Sequence, residues 1–489
     1  MDNGSAKLLT SFVNGKSLES SEAVLDLASP ANGSISARLS EAGERGVSDA
    51  VEGALKAFKA HVGSTAYQRS CWLRAVSKKI LESCDGLADI VSKEVGKPIR
   101  VATIEARRAA AFVEACAFSL LEMGGEALPL DAMANGSGKF GFSRRIPYGV
   151  VGAVTPFNGP ITLVLQKVVP AIAVGNAIVV KPAPAGTQVA LALARLFVDA
   201  GLPKGLFNVV TGDRVTALAL AAHPDVRVVS FTGGSAAGEV LGRAAGSKKY
   251  LAELGSNTAN IVFADANLQC AATKIAFAAF EASGQQCISA QRVLVQRPIL
   301  ESFSKAFVSA AAALKVGSAS DPSTDVGPMV HLAAADRVLA MCDDAVAKGA
   351  RYLLKPKRDN CIVSPGILVG VPFDARLWSE EVFGPIAIIQ PFDTVEEAIK
   401  LANDTPFGLQ GSVFTESLTV ALRCFNEFEV GGLWVNEASR FRLDNYPFGG
   451  VKGSGVGREG IKYAMEEYSQ LKFMGISTPP SSEGPSILS

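Results

Sequence analysis

The sequence predicts an α/β protein built on parallel sheets. From Val150 to Phe263, strand-like segments alternate with helix-like ones, and parallel strands need such helical crossovers between them. A second stretch of the same mixed pattern runs from Asp265 to about Phe425. The chain's 489 residues also exceed what one ordinary hydrophobic core organises. We therefore expect two domains, each with an open, doubly wound sheet that carries helices on both faces.

Local patterns place the elements in order along the chain. Residues 7–40 predict short strands and turns, and apolar residues spaced three and four apart predict helices from Ser48 to about Glu122. The predicted strands of the first sheet are Val150–Val154, Ala177–Val180, Asn208–Thr211, Val226–Phe231 and Tyr250–Leu254. The predicted helices between them are Ile161–Ala173, Gln188–Ala200, Val215–Ala221 and Ala236–Ala244.

Three shorter segments complete the series. Alternating apolar and polar residues predict a strand from Lys139 to Pro147. A further strand is predicted from Gly431 to Asn436, followed by a loop from Glu437 to Tyr446. The stretch rich in Ser, Pro and Gly after Ile476 predicts a disordered tail.

The composition argues against several classes of protein. Lys plus Arg and Asp plus Glu balance at 47 each, which disfavours a nucleic-acid partner. Eight scattered cysteines and three separated histidines disfavour a metal site and indicate a reducing compartment. The most apolar region, Val150 to Val180, is interrupted by prolines and polar residues, and the first residues lack a signal-peptide pattern. We therefore expect a cytoplasmic protein with no membrane segment.

One cysteine stands where a reactive thiol is expected. Cys287 follows the Gly284-Gln-Gln run, where the helix-like segment Ala271–Ala282 gives way to the strand-like segment Arg292–Val295. Glycine at a helix end permits a turn that directs a side chain into a cleft. Because free cysteine is most often a buried core residue, the alternative for Cys287 taken alone is a structural role.

Two other segments supply the groups that a nucleophilic thiol needs. Glu253 comes at the end of a strand-like segment just before a glycine turn, and Asn158 follows another strand. A thiol attacks a carbonyl, an amide stabilises the developing oxyanion, and a carboxylate activates water. The sequence therefore predicts a catalytic set of Cys287, Asn158 and Glu253 that forms and hydrolyses a thioester.

These segments belong to a longer series of motifs. The other members are Val180–Pro182, Phe231–Ser235, Glu381–Pro385 and Pro447–Lys452. The motifs follow one another as they do in the aldehyde dehydrogenase superfamily. The chain resembles that superfamily from about residue 10 to about residue 475. The resemblance implies NAD(P)-dependent oxidation of an aldehyde to a carboxylate through a cysteine thiohemiacetal and thioester, without transfer to coenzyme A. The alternative is a non-catalytic, cofactor-binding or structural member of the same fold.

The resemblance also implies how the chain is divided. Residues 1–124, 147–254 and 426–470 would form the cofactor-binding domain, and residues 255–425 the catalytic domain. Residues 125–146 and 471–489 would form an oligomerisation ribbon and tail, with Leu471–Ile476 as the companion of the strand at 139–147. An exposed strand edge invites pairing with another chain, so we expect a homodimer or homotetramer.

The predicted cofactor site lies at the carboxyl ends of the strands, where open parallel sheets bind ligands. The resemblance implies that NAD or NADP contacts a set of residues around this edge. They are Thr155, Pro156, Phe157, Lys181, Ala183, Pro184, Gly212, Phe231, Thr232, Gly233, Gly234, Ser235, Leu254, Glu381 and Phe383.

The string from Gly455 to Gly460 spells the dinucleotide-binding pattern G-x-G-x-x-G. A loop precedes it, however, and too little chain follows for a βαβ unit. We interpret it as a turn into a helix.

One departure from the family pattern bears on the choice of dinucleotide. Members that prefer NAD often carry a glutamate three residues after the lysine equivalent to Lys181, whereas this chain has Pro184. A carboxylate there would repel a 2′-phosphate, and its absence removes that repulsion. The sequence therefore predicts that NADP is tolerated or preferred.

The predicted substrate is a short polar or anionic aldehyde, such as a semialdehyde, a phosphonoacetaldehyde-like or a lactaldehyde-like compound. The residues expected around it are Arg108, Gly159, Gln166, Gln286, Arg440, Arg442 and Phe448. Small or polar residues at 159 and 166 indicate a roomy, polar pocket. As an alternative to substrate binding, Arg442 pairs with Asp444, two residues away. Gln286 also stands where branches that bind phosphate-like aldehydes often have arginine.

Overall fold

The computed structural model describes residues 6–18 and 24–478. The helices are α1 (Gly43–His61), α2 (Ala66–Glu82), α3 (Cys84–Val95), α4 (Ile99–Ser119), α5 (Thr162–Ala173), α6 (Thr187–Asp199), α7 (Arg214–Ala222), α8 (Ser235–Ala245), α9 (Leu268–Phe280), α10 (Leu300–Ala312), α11 (Leu332–Ala347), α12 (Arg376–Ser379), α13 (Val395–Asn403), α14 (Leu418–Glu427) and α15 (Ile461–Glu467). The predicted tail, apart from Ser477 and Thr478, lies outside the described residues.

The strands are shorter and more numerous. They are β1 (Lys7–Leu9), β2 (Phe12–Val13), β3 (Lys16–Ser17), β4 (Val24–Ala28), β5 (Ile35–Ser40), β6 (Glu126–Leu128), β7 (Lys139–Pro147), β8 (Val150–Thr155), β9 (Ala177–Pro182), β10 (Phe207–Val209), β11 (Val226–Thr232), β12 (Lys249–Glu253), β13 (Ala259–Val262), β14 (Arg292–Gln296), β15 (Arg351–Leu354), β16 (Arg358–Asp359), β17 (Ile362–Val363), β18 (Gly366–Val369), β19 (Ile386–Phe392), β20 (Gln410–Phe414), β21 (Gly432–Val435), β22 (Gly455–Val456) and β23 (Ser469–Ser477).

The first sheet has the order β22-β12-β11-β8-β9-β10-β2-β3. Its five central strands, β12 to β10 in that order, run parallel, as the alternating pattern predicts. Every residue of β8 and β9 is buried because helices cover both faces of the sheet. Strand β22, which contains part of the G-x-G-x-x-G string, pairs antiparallel with β12 at the sheet edge. The string therefore opens no βαβ unit, in agreement with the sequence interpretation.

The second sheet has the order β15-β18-β19-β14-β13-β20-β21 and is parallel except for β15. Separate apolar clusters cover its two faces, one around Phe392 and one around Phe307. Strand β21 pairs with β20, so residues 432–435 lie in this sheet, although the sequence division groups 426–470 with the first. Helix α15 does pack into the core of the first sheet through Ala464 and Met465. Periodicity showed that β21 is a strand, but not which sheet supplies its hydrogen-bonding partner.

A third sheet forms a ribbon of β6, β7 and β23. Strands β7 and β23 pair antiparallel along their whole length, from Ser469 opposite Pro147 to Ser477 opposite Lys139. Beyond Ser469, every residue of β23 is exposed. This pairing confirms that the segment at 471–476 is the companion of the strand at 139–147.

A buried arginine, Arg292, at the start of β14 connects two segments that are distant in the sequence. Its guanidinium donates to the carbonyl oxygens of Asn257 at 3.0 Å, Leu401 at 2.8 Å and Ala402 at 2.8 Å. It also lies 5.1 Å from the centre of the Trp378 ring. Burial lowers the pKa of Arg292 to about 10, so the group remains charged at neutral pH. Arg292 thus satisfies backbone carbonyls of the loop that follows β12 and of the end of α13.

Replacing this arginine should weaken the fold. We expect Arg292→Met to lower the free energy of unfolding by about 3 kcal/mol, because several buried carbonyls lose charged donors. The matched control is Arg297→Met, which removes an exposed ion pair with Asp393 and should cost much less stability because solvent screens that pair. Chemical denaturation of both variants measures the difference. Equal losses of stability would contradict the role given to Arg292.

Candidate active site

An unusual turn brings Cys287 to the surface of a cleft. Helix α9 ends at Phe280, and the chain then passes through three consecutive residues with positive φ: Ala282 at 51°, Ser283 at 59° and Gly284 at 64°. A Cβ on Gly284 would lie 2.2 Å from the carbonyl oxygen of Gly384, so only glycine fits there. The hydroxyl of Ser283 donates to the carbonyl of Gly327 at 2.7 Å and holds the turn. The predicted change from helix to strand around the thiol is confirmed.

Cys287 lies between two cavities. The arginine cavity, of about 730 Å³, is lined by Arg108, Arg440 and Arg442 among others. The sheet-edge cavity, of about 1070 Å³, is lined by residues at the carboxyl ends of the parallel strands of the first sheet and by Arg337, Glu381 and Phe383 from the second half of the chain. Asn158 and Cys287 line both cavities. A small molecule in one cavity and a larger one in the other would therefore meet at this thiol.

Glu253 faces the thiol from the end of β12. The thiol lies within hydrogen-bonding range of the buried carboxylate, and burial together with this negative charge raises the pKa of Cys287 well above its usual value. Burial, followed by the charge of Glu459, raises the pKa of Glu253 to about 8. Its Oε1 is buried and has no hydrogen-bond partner among the described residues. The pair is therefore suited to proton transfer near neutral pH.

A buried charge network lies beneath this pair. Glu459 accepts from Lys167 at 3.3 Å and from Arg442 at 2.9 Å, and Lys167 also donates to Ser230 at 3.1 Å. The guanidinium of Arg442 sits 3.6 Å above the centre of the Phe448 ring. Both cations lower the pKa of Glu253 and oppose the effect of burial.

The sequence alternative that Arg442 pairs with Asp444 is wrong. Asp444 instead accepts two hydrogen bonds from Arg108, at 3.0 and 2.7 Å, and one from Gln166 at 3.1 Å. Arg442 pairs with Glu459. In an irregular loop, residues two apart need not point the same way, so proximity in sequence gave no reliable partner.

Most of the predicted substrate residues line the arginine cavity. They are Arg108, Gly159, Gln166, Gln286, Arg440 and Arg442. Phe448 lies outside this lining and packs beneath Arg442. The sequence missed Lys97, Glu105 and Glu281, which also line the cavity. Two of its cations pair with these acids: Lys97 with Glu105, and Arg440 with Glu281 at 2.5 Å.

Glu105 also holds the loop that carries Asn158. Its Oε1 accepts from the backbone N–H groups of Ile161 at 2.9 Å and Thr162 at 3.0 Å. A carboxylate at the first backbone N–H groups of a helix satisfies donors that have no partner within the helix. The buried acid thus fixes the start of α5, and with it the position of the Asn158 amide four residues earlier.

The sheet-edge cavity gathers most of the residues predicted for the cofactor. Thr155, Pro156, Phe157, Lys181, Ala183, Pro184, Phe231, Thr232, Gly233, Gly234, Leu254, Glu381 and Phe383 line it. Gly212 does not, because it packs against Glu41, whose Oε1 would lie 2.3 Å from a Cβ at this position. Ser235 starts α8 just beyond the lining. Asp213 and Arg337 line the cavity and were missed.

The chemistry of this cavity fits a dinucleotide. The hydroxyls of Thr155, Thr232 and Ser235 are buried and have no partner in the part of the chain that the structure describes. Glycines 233 and 234 leave the start of α8 open, and the N-terminus of a helix favours phosphate. Lys181 is buried, and burial lowers its pKa to about 8. These groups would hold the phosphates and ribose hydroxyls of NAD or NADP.

Comparison of the sequence with known protein families identifies the family of the chain. The model of the aldehyde dehydrogenase family matches residues 17–474. The chain belongs to the aldehyde dehydrogenase family. As a member it is an oxidoreductase that oxidises aldehydes with NAD or NADP.

Several aldehyde dehydrogenases resemble the chain along most of its length. The 3-sulfolactaldehyde dehydrogenase of Priestia megaterium is 40% identical over 439 residues, 90% of this chain and 92% of the relative. The lactaldehyde dehydrogenase of Methanocaldococcus jannaschii is 39% identical, over 83% of this chain and 87% of the relative. The crystal structure of an NADP-dependent glyceraldehyde-3-phosphate dehydrogenase from Bacillus halodurans, complexed with NADP, superimposes with a TM-score of 0.93 at 32% identity, covering 97% and 100% of the two chains.

Two other kinds of feature are absent from the described residues of this aldehyde dehydrogenase. No group of three or more His, Cys, Asp or Glu side chains within 6–18 and 24–478 is arranged to hold a metal ion. Within the same residues, no helix has the length and apolar character needed to cross a membrane.

Proposed function

We propose that this aldehyde dehydrogenase oxidises a short aldehyde that carries an anionic group, with Cys287 as nucleophile, Asn158 as oxyanion donor and Glu253 as base. The observation that carries the proposal is the position of Asn158 and Cys287 at the junction of the two cavities. A carbonyl bound there would face the thiol and the amide, and the sheet-edge cavity would lie behind them. The same proposal includes the binding of NAD or NADP by the cofactor residues that the sequence predicts.

In the first step Glu253 receives the thiol proton. The raised pKa of Cys287 means that little thiolate exists before a base acts, and Glu253, with a pKa of about 8, is within reach. The sulfur then attacks the carbonyl carbon and forms a thiohemiacetal. Its oxyanion accepts hydrogen bonds from the Asn158 side-chain amide and from the backbone N–H of Cys287. The C–H bond of the thiohemiacetal carbon then breaks as the oxyanion re-forms the carbonyl, which leaves a thioester on Cys287. A bound nicotinamide would supply the acceptor for that hydride.

In the second step a thioester on Cys287 is hydrolysed. Glu253 returns the proton received from the thiol to solvent and then accepts one from the attacking water. Lys167 and Arg442 favour its ionised form, while burial and Glu459 oppose it. The C–S bond then breaks, the Cys287 thiolate takes up the proton held by Glu253, and the product leaves through the arginine cavity as a carboxylate with its own proton released to solvent. The buried charges of Lys167, Arg442 and Glu459, together with burial, therefore set the pH at which Glu253 is deprotonated and can act as a base.

Three observations support an anionic substrate. Arginines line the substrate side of the site, and the Nε–H groups of Arg440 and Arg442 have no hydrogen-bond partner among the described residues. Relatives named for 3-sulfolactaldehyde, sulfoacetaldehyde and succinate semialdehyde act on aldehydes of this kind. Each arginine nevertheless faces a carboxylate. Selection would therefore rest on directed guanidinium donors rather than on a large net positive charge.

The substrate class can be tested with matched aldehydes. Reduction of NAD and NADP is followed at 340 nm with succinate semialdehyde and with its uncharged methyl ester. We expect kcat/KM to be about tenfold higher for the anion than for the ester. Arg440→Gln should reduce that ratio while oxidation of the ester is little affected.

The role of the thiol has its own test. Cys287→Ala should abolish oxidation but retain thermal stabilisation by the dinucleotide. Binding without turnover by the unmodified protein would favour the non-catalytic alternative instead.

The pH dependence tests the base. Because Glu253 acts as a carboxylate and its pKa is raised to about 8, kcat should rise with pH and level off above about 8. Arg442 lowers that pKa, so Arg442→Leu should move the rising limb to higher pH, whereas Arg442→Lys, which keeps the charge, should move it less. Glu253→Gln should remove the limb together with most steady-state turnover. A limb that stays in place in Arg442→Leu would exclude Glu253 as the titrating group.

We further propose that the ribbon makes the enzyme a homodimer or homotetramer. Its strand β23 exposes Leu471, Phe473, Met474 and Ile476, each more than two-fifths accessible, and an apolar strand exposed in this way favours pairing with another copy. The double variant Leu471→Asp/Ile476→Asp should reduce the mass measured by light scattering. Leu81→Asp, an equally exposed position on α2, should not. A wild-type monomer would exclude the proposal.

A further inference from the structure

One carboxylate of the sheet-edge cavity has no part in the mechanism. Asp213 is exposed and lines the cavity together with Lys181 and Pro184. It lies between the end of β10 and the start of α7, at the carboxyl edge of the first sheet. Asp213 is therefore distant from Lys181 in the sequence but close to it in the folded chain.

The backbone that carries this carboxylate is anchored by Glu41. The N–H of Asp213 donates to Oε2 of Glu41 at 2.8 Å, and the N–H of Thr216 donates to the other oxygen of Glu41 at 3.2 Å. Gly212, with φ of 138°, leaves the space that the Glu41 carboxylate occupies. The turn at 211–213 is thus anchored by a second acid.

The charges around the cavity are unevenly distributed. The cations that line it are Lys181 and Arg337, and Arg337 donates to the carbonyl oxygens of Glu381 and Val382. Lys181 is therefore the cation near Asp213. The charges of Asp213 and Glu41 raise the pKa of Lys181 against the larger effect of burial. At this end of the cavity the lining carries the ammonium of Lys181 and the carboxylate of Asp213, while Glu41 lies outside the lining.

We propose that Asp213 is a specificity-determining residue for the dinucleotide: its carboxylate accepts hydrogen bonds from the adenosine ribose hydroxyls of NAD and repels the 2′-phosphate of NADP. The inference rests on the cofactor site of the proposed function. It reverses the expectation drawn from Pro184, because the repulsion missing at that position is supplied from the turn after β10. A hydroxyl donates to a carboxylate, whereas a phosphate does not, and the like charges repel.

The test measures binding without turnover. Dissociation constants for NADH and NADPH are determined by isothermal titration calorimetry for the wild type, Asp213→Asn and Arg214→Gln. The change from aspartate to asparagine keeps the size of the side chain and removes its charge. Arg214 is the exposed neighbour that starts α7 and lies outside the cavity lining, so Arg214→Gln serves as the control.

We expect the wild type to bind NADH more tightly than NADPH. Asp213→Asn should strengthen NADPH binding about tenfold and weaken NADH binding slightly, and the difference should shrink in high salt because the repulsion is screened. Asp213→Ser, with unliganded thermal stability as a check of folding, should behave alike. Arg214→Gln should leave the ratio unchanged.

Two results would overturn the inference in different ways. If the wild type binds both dinucleotides and Asp213→Asn leaves their ratio unchanged, Asp213 does not discriminate between them, while the proposed aldehyde oxidation stands. If the wild type binds neither dinucleotide, the cofactor site of the proposed function fails, and the role of Asp213 fails with it.

Discussion

The active site depends on keeping one ionisable carboxylate buried beside a thiol. Removing Glu253 from water raises its pKa to about 8, so the acid is neither permanently charged nor permanently neutral at physiological pH. Lys167 and Arg442 prevent a larger shift, and Glu459, which pairs with both cations, limits their effect. The protonation of Glu253, the proposed base, is therefore set by a buried group of four charges rather than by any one contact.

The fold brings these groups together from both large sheets. Strand β12 ends at Glu253, and the neighbouring strand β8 leads into the loop that carries Asn158. Cys287 comes from the other sheet, through a left-handed turn that two non-glycine residues adopt at a cost. The hydrogen bond from Ser283 holds the turn itself, and the donors of Arg292 hold the chain that follows it. The strain is thus offset by ordered polar contacts close to Cys287.

Local chemistry predicted the elements of this site, but not their partners. The strands that precede Asn158, Lys181 and Glu253 are apolar runs bounded by glycine or proline, so sequence alone placed these side chains at the sheet edge. The pairs Arg108–Asp444 and Arg442–Glu459 join segments whose proximity only the folded chain creates. The same limit hid Lys97 and Glu105, which lie on either side of a helix start that carries no catalytic motif. It also hid the sheet to which β21 belongs.

The paired arginines show why counting charges in a sequence misleads about a pocket. Three arginines near a substrate suggest a strongly positive field, yet Asp444, Glu281 and Glu459 each compensate one of them. What remains is a set of guanidinium N–H groups fixed in direction, because an arginine held by one carboxylate keeps other donors free. Such a pocket distinguishes anions by the positions of their oxygens and attracts them only weakly from a distance. An aldehyde of the right length therefore gains more than one that merely carries charge.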